Sequence, residues 1–247
     1  MSQIIVVTGG ARGIGAATAR LAATRGHSVA INYRCGPEAP ALAEELRAMG
    51  ADVEAIRADV SSLAGAQALF TAVDRRFGGL DVLVANAGVT GPLMPVEDVE
   101  EEEISALLAV NVSSLFYCSR EAIRRMSVMH GGKGGSIVVL SSAVARHGGR
   151  PGMVAYTASK GAADAFTLGL ARELAGSGIR VNALRPGVIA TSIHDVYGGE
   201  AALEQIAPSI PLGRVGEASE VAEAALWLAS EQASYVHGAL LDVGGGR

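Results

Sequence analysis

Ile4-Ile5-Val6-Val7-Thr8-Gly9-Gly10-Ala11-Arg12-Gly13-Ile14-Gly15 runs four β-branched residues into glycines at 9, 13 and 15, the pattern TGxxxGxG. It reads as a buried strand, a glycine-rich turn and a helix from about Ile14 to Arg25. Glycine permits positive φ and close approach of backbone to a ligand. The helix N-terminus beyond adds free N–H groups and a positive dipole end, which suits a pyrophosphate. A Walker-type phosphate loop would need Gly-Lys-Ser/Thr, but Gly15 is followed by Ala16 and Ala17. A flexible turn alone would use the same glycines; the strand before and helix after favour a dinucleotide site built on Gly9, Arg12, Gly13, Ile14 and Gly15.

The next strand, Ser28 to about Tyr33, bears on which dinucleotide. NAD sites usually place an acid at its end to bind the ribose hydroxyls. Here the strand ends Asn32-Tyr33-Arg34, and no acid follows until Glu38. Arg12 and Arg34 can both face the adenosine ribose, where a 2′-phosphate would attract them, although either can also be solvated. NADP(H) is expected over NAD(H), with Asn32, Tyr33 and Arg34 at the ribose. A strand at Asp52–Arg57 leads to Asp59-Val60, where a carboxylate can accept from an adenine amino group; a surface turn aspartate looks the same. After a strand at Asp81–Val84, the small residues of Asn86-Ala87-Gly88 would let backbone lie against a cofactor, or only close a tight turn.

Strands alternate with helices along the whole chain, with no repeat or low-complexity linker between them. The expectation is one doubly wound α/β domain over residues 1–247, with a mainly parallel seven-stranded sheet. Net charge is −5 with no Lys/Arg run, so nucleic-acid binding has no electrostatic support. The two cysteines form no CxxC pair, the five histidines show no metal-ligand spacing, and no apolar run approaches membrane-spanning length. A cytoplasmic protein without metal is expected. The segment from about 190 to 215, with a Gly198-Gly199 pair and Pro208 and Pro211, reads as a mobile substrate flap.

Chemistry is expected at Tyr156-Thr-Ala-Ser-Lys160, in a chain with only two lysines and five tyrosines. On a helix, i and i+4 share a face with Cβ atoms roughly 5–6 Å apart. An ammonium there favours the phenolate, so the phenol can exchange a proton with a carbonyl or alcohol. A packed tyrosine beside a solvated lysine would give the same spacing. Asn111 sits within a long amphipathic segment, roughly Glu101–Met126, among Leu108, Val110, Val112 and Leu115. A buried amide must be satisfied, so a water or polar network is expected at that point. Arg146, His147 and Arg150, in the loop before Tyr156, would suit an anionic or polyol ligand or be merely solvated.

Together, the Thr8–Gly15 turn, Asn86-Ala87-Gly88, Asn111, Ser142, Tyr156 with Lys160, and Pro186-Gly187 resemble the short-chain dehydrogenase/reductase family over essentially the full length. The resemblance implies Tyr156 as general acid/base and Ser142 as donor to the substrate oxygen. It implies that Lys160 holds the nicotinamide ribose, that Asn111 supports a water in a proton relay, and that Pro186, Gly187, Val188 and Thr191 lie at the nicotinamide. It also implies a homotetramer, with the long helices around Asn111 and after Tyr156 at one interface. Arg185–Asp195 and the ending Asp242–Arg247 look most like bacterial glucose/ribitol dehydrogenase-like members. The implied activity is reversible hydride transfer between NADP(H) and a carbonyl/alcohol pair; the alternatives are a 3-oxoacyl-thioester reductase and a non-catalytic NADP-binding regulator. Two departures stand out. Ala85 replaces the first residue of the commoner Asn-Asn-Ala-Gly, which should loosen local hydrogen bonding. Ser142 lies fourteen places before Tyr156, one more than the commonest spacing, which leaves Ser141 as an alternative.

Overall fold

The computed structural model describes residues 2–192 and 199–247. Seven strands form: β1 Ile4–Val7, β2 Ser28–Tyr33, β3 Val53–Arg57, β4 Val82–Ala85, β5 Gly135–Leu140, β6 Ile179–Pro186 and β7 Leu240–Val243. Their order is β3-β2-β1-β4-β5-β6-β7, and every ladder is parallel. A parallel neighbour requires a crossover, and helices supply it. The helices are α1 Gly13–Thr24, α2 Glu38–Ala48, α3 Leu63–Phe77, α4 Glu101–Leu108, α5 Ser114–Met126, α6 Val144–His147, α7 Val154–Glu173, α8 Gly199–Ile206 and α9 Ala218–Ala229.

The two-residue period of the strands divides the core in two. Ile5, Val7, Val29, Ile31, Val84 and Val138 pack with Ala19 and Ala22 of α1, Leu42 and Leu46 of α2, and Val221 of α9. Val6, Ala30, Leu83, Ile137 and Val181 pack on the opposite face with Leu69 and Phe70 of α3, Leu115 of α5 and Ala163 of α7. Both faces are covered, which explains why the strands read as continuous apolar runs rather than alternating ones.

The structure differs from the sequence reading in three places. The segment around Asn111 is not one helix: a five-residue π turn, Ala109–Ser113, separates α4 from α5. A short helix, α6, interrupts the loop before Tyr156. The 190–215 segment contains α8, whose Glu-Ala-Ala-Leu-Glu-Gln run is rich in helix formers; residues 193–198 of it lie outside the described residues. A bridge between Ile189 and Gly216 joins the two ends of that segment.

Candidate active site

Strand order reverses between β1 and β4, and in open α/β sheets ligands bind beyond the carboxyl ends at such a point. Thr8 and Asn86 stitch those ends together. The Thr8 hydroxyl accepts from the Asn86 and Ala87 amides, both at 3.0 Å. The Asn86 side chain donates to the carbonyls of Thr8 and Gly9 at 2.9 and 3.0 Å. Ala85 is buried in the apolar core, so the hydrogen bonding at this junction is carried by Asn86 and Thr8.

The glycine turn leaves no room for side chains. A Cβ on Gly15 would lie 2.5 Å from both the Asn86 side-chain nitrogen and the Gly9 carbonyl oxygen, and one on Gly9 would lie 2.9 Å from Ala87 Cα. Gly13 has φ +53°, and its Cβ would meet the Thr191 side chain at 3.1 Å. Arg12 takes the N-cap of α1 in an extended conformation and provides no side-chain cap. First-turn N–H groups are normally satisfied by a cap, water or a ligand. An uncapped helix start behind a tight glycine turn therefore fits a dinucleotide pyrophosphate.

Asn32 is buried beneath this turn: its carboxamide oxygen accepts from Gly9 at 3.4 Å and its nitrogen donates to Ala58 at 3.0 Å. Its amide is thus spent on shaping the turn. Arg12 and Arg34 are exposed, Tyr33 is half-buried and Val60 buried. Asp59 accepts from the Ser61 amide and hydroxyl; those bonds, with Arg34 nearby, hold its carboxyl below the usual range.

Across the sheet, a cleft of about 210 Å³ brings Ile14, Asn86 and Gly88 together with Ser142, Tyr156 and Lys160. Pro186, Gly187, Val188 and Thr191 line it as well. Tyr156 and Lys160 lie on α7, with the Lys160 nitrogen 5.8 Å from the centre of the phenol ring. That ammonium is buried and donates to the Leu140 carbonyl at 2.7 Å. Burial brings it down to about 8, partly offset by Asp164. Ser142 lines the cleft with its hydroxyl 3.4 Å from the Val144 amide, whereas the Ser141 hydroxyl donates to the Lys160 carbonyl at 3.1 Å.

Asn111 is buried behind Gly88 and is not itself among the residues that line the cleft. Its oxygen accepts from the Val89 amide at 2.8 Å, and its nitrogen donates to the Val89 carbonyl at 2.8 Å and the Ser159 hydroxyl at 2.9 Å. The expected polar network is therefore made by protein groups. The π turn, a widened coil often found at functional sites, carries this residue.

His147 and Arg150 line the cleft; Arg146 turns instead towards Asp242 and the Arg247 carbonyl. Arg247 also lines it, a residue the sequence reading passed over as part of a family-like ending. A lone arginine after three glycines carries no periodic signal that could have found it.

A family model described as enoyl-(acyl carrier protein) reductase matches residues 9–247. Among curated relatives, the uncharacterized oxidoreductase YgfF of Escherichia coli is 43% identical, the alignment covering 99% of each chain. A glucose and ribitol dehydrogenase homolog of Oryza sativa subsp. japonica is 36% identical, covering 99% of this chain and 85% of that protein. Among solved structures, the 3-ketoacyl-(acyl-carrier-protein) reductase of Brucella melitensis, determined in complex with NADH, superposes with a TM-score of 0.91. It is 34% identical, over 99% of this chain and 98% of that one.

Gly15→Ala should weaken nicotinamide dinucleotide binding by about ten- to hundredfold, since displacing this backbone misplaces the phosphate cradle; fluorescence titration measures it. Lys160 offers a second test. Below about 8 its ammonium is carried in both folded and unfolded chains and the burial cost is complete; above 10.5 both are neutral and the cost vanishes. The stability of the wild type relative to Lys160→Met should therefore rise with pH across that window, by about 3 kcal/mol in all. Parallel denaturant titrations of the two proteins between those pH values would detect it.

Proposed function

The chain belongs to the short-chain dehydrogenase/reductase family of oxidoreductases, and we propose that it prefers NADP(H) and interconverts a small carbonyl compound and its alcohol, with Tyr156 as general acid/base. The observation that carries this reading is the shared cleft: Tyr156, Ser142 and Lys160 line the same crevice as Ile14, Asn86 and Gly88 of the dinucleotide cradle. The glycine turn and the start of α1 would hold the pyrophosphate, with Asp59 and Val60 at the adenine and Pro186, Gly187, Val188 and Thr191 at the nicotinamide. When bound, the nicotinamide supplies or accepts the hydride.

The chain's own groups handle the proton and the oxygen. The Tyr156 hydroxyl donates a proton to the carbonyl oxygen as it gains charge, and takes it back in the alcohol direction. Ser142 donates to the same oxygen and fixes its position. Lys160 places a positive charge beside the phenol ring, which favours the phenolate, and would donate to the nicotinamide ribose of a bound cofactor. Asn111, satisfied by Val89 and Ser159, keeps the back wall of the cleft in register for a water that relays protons to Lys160.

Glucose/ribitol dehydrogenase-like chemistry is the first substrate reading, supported by the rice homolog. The second is a 3-oxoacyl-thioester reductase, supported by the likeness to the Brucella enzyme. A non-catalytic regulator has less support, because all four polar site residues are present. The exposed Phe116 packs edge-on against Phe166 at 4.8 Å on the α5 and α7 surface, an apolar face that suits the proposed homotetramer. A cytoplasmic location belongs to the same proposal; among the described residues no helix is long and apolar enough to cross a membrane.

Tyr156→Phe should lower kcat by about 10²- to 10⁴-fold with cofactor affinity kept. Steady-state assays across ketones, polyols and acyl thioesters supply the substrate, and full turnover by the variant would refute the assignment. The cofactor preference rests on Arg12 and Arg34. Replacing both by Gln should weaken NADPH binding about ten- to hundredfold and leave NADH binding nearly unchanged, as loss of charge-assisted bonds to a 2′-phosphate requires. Equal losses for the two cofactors would overturn it.

A further inference from the structure

We propose that Arg247 is a specificity residue for an anionic group on the substrate, so that the cleft selects small carbonyl compounds bearing a carboxylate or phosphate. This rests on the reading of the cleft as the substrate site. Arg247 lines that cleft with Ser142 and Tyr156. Its Nη1 is shut away from solvent and has no hydrogen-bond partner among the described residues. A buried cationic donor without an acceptor is unfavourable, and a planar guanidinium matches the two oxygens of a carboxylate or phosphate.

The residue is also held in place. Its amide donates to the Gly244 carbonyl at 3.2 Å, and its carbonyl accepts from Arg146 at 2.6 Å. Arg146 in turn lies 3.6 Å from Asp242. The charged groups have one sign: among the described residues lining the cleft there is no aspartate or glutamate, while Lys160 and Arg150 join Arg247 there. His147 accepts from the Gly149 amide through Nδ1, which leaves Nε2 as the N–H nitrogen facing other partners. Met153, Leu203 and Ile206 add an apolar wall, so the fitting substrate is a short carbon chain with its carbonyl at Tyr156 and its anion at Arg247.

The test is calorimetric binding to the full chain saturated with NADP⁺, which keeps the cofactor phosphates from answering for the substrate. The probes are levulinate, its neutral methyl ester, and (2-oxopropyl)phosphonate. Wild type should bind one or both anions about ten- to hundredfold more tightly than the ester. Arg247→Met should abolish that preference by weakening the anions alone, and Arg247→Lys should retain part of it. The tighter of the two anions identifies the group as carboxylate or phosphate. Equal binding of anions and ester by the wild type, a preference that survives Arg247→Met, or a variant whose loss falls on NADP⁺ would each overturn the proposal. Tyr156→Phe should keep the anion preference. Anion binding without turnover by the wild type would sink the oxidoreductase mechanism while supporting the anion site.

Discussion

The buried ammonium of Lys160 constrains how α7 can sit on the sheet. Taking a charge out of water costs several kcal/mol unless a hydrogen-bonding partner is fixed nearby. The Leu140 carbonyl, at the last position of β5, is that partner. The next residue answers in the other direction, with the Ser141 hydroxyl donating to the Lys160 carbonyl. Two bonds of opposite sense thus pin α7 to the end of β5, and Tyr156, one turn earlier, is carried to the wall of the cleft. Asp164, one turn later, offsets part of the burial cost by its charge.

A second set of bonds keeps the glycine turn from drifting relative to this pivot. Thr8 and Asn86 tie the end of β1 to the loop after β4, and Asn32 ties the glycine turn down to the loop after β3. Four parallel strands, β1 to β4, therefore share one network at their carboxyl ends. Asn111 extends it to the helical layer through Val89 and Ser159, and Ser159 precedes Lys160 directly. The helical π turn makes this reach feasible: an extra residue in the coil swings one side chain out of the regular spiral. Buried polar groups are tolerated here because their partners are nearly all backbone atoms that cannot move away.

How much of this was legible in the sequence depended on whether the signal was local. Ile4–Val7 followed by Gly9, Gly13 and Gly15 announces a strand, a turn and a helix, because β-branching and missing side chains act within a few residues. Tyr156 and Lys160 were legible for the same reason, since i and i+4 meet on any helix. The interruption at Ala109–Ser113 was not, because its apolar pattern continues unbroken and only the inward pull of Asn111 distinguishes it. The helix Gly199–Ile206 was hidden by neighbouring glycines and prolines, which outweighed its own helix formers. The bonds of the Asn32 side chain to Gly9 and Ala58 were not legible either, because sequence cannot say to which side of a turn an amide points.

Arg247 depended on a contact that sequence separation conceals, and the charge ladder leading to it is graded. Arg185 donates twice to Asp164 on α7, at 2.9 and 2.7 Å, and this inner pair is largely buried. The outer pairs of Asp242, with Arg185 at 3.9 Å and with Arg146 at 3.6 Å, are longer and more exposed. Exposed pairs contribute about 0–1 kcal/mol and fade with salt. They cannot by themselves fix the end of the chain. The firmer constraint is the backbone of β7, where Gly187 donates to the Val243 carbonyl at 3.0 Å. A Cβ on Gly187 would lie 2.7 Å from Gly244 Cα, so the two backbones run too close for any side chain to intervene. The last strand is thereby delivered beside Pro186 and Gly187 at the cleft whatever the ionic strength, and the charges refine where the Arg247 side chain points.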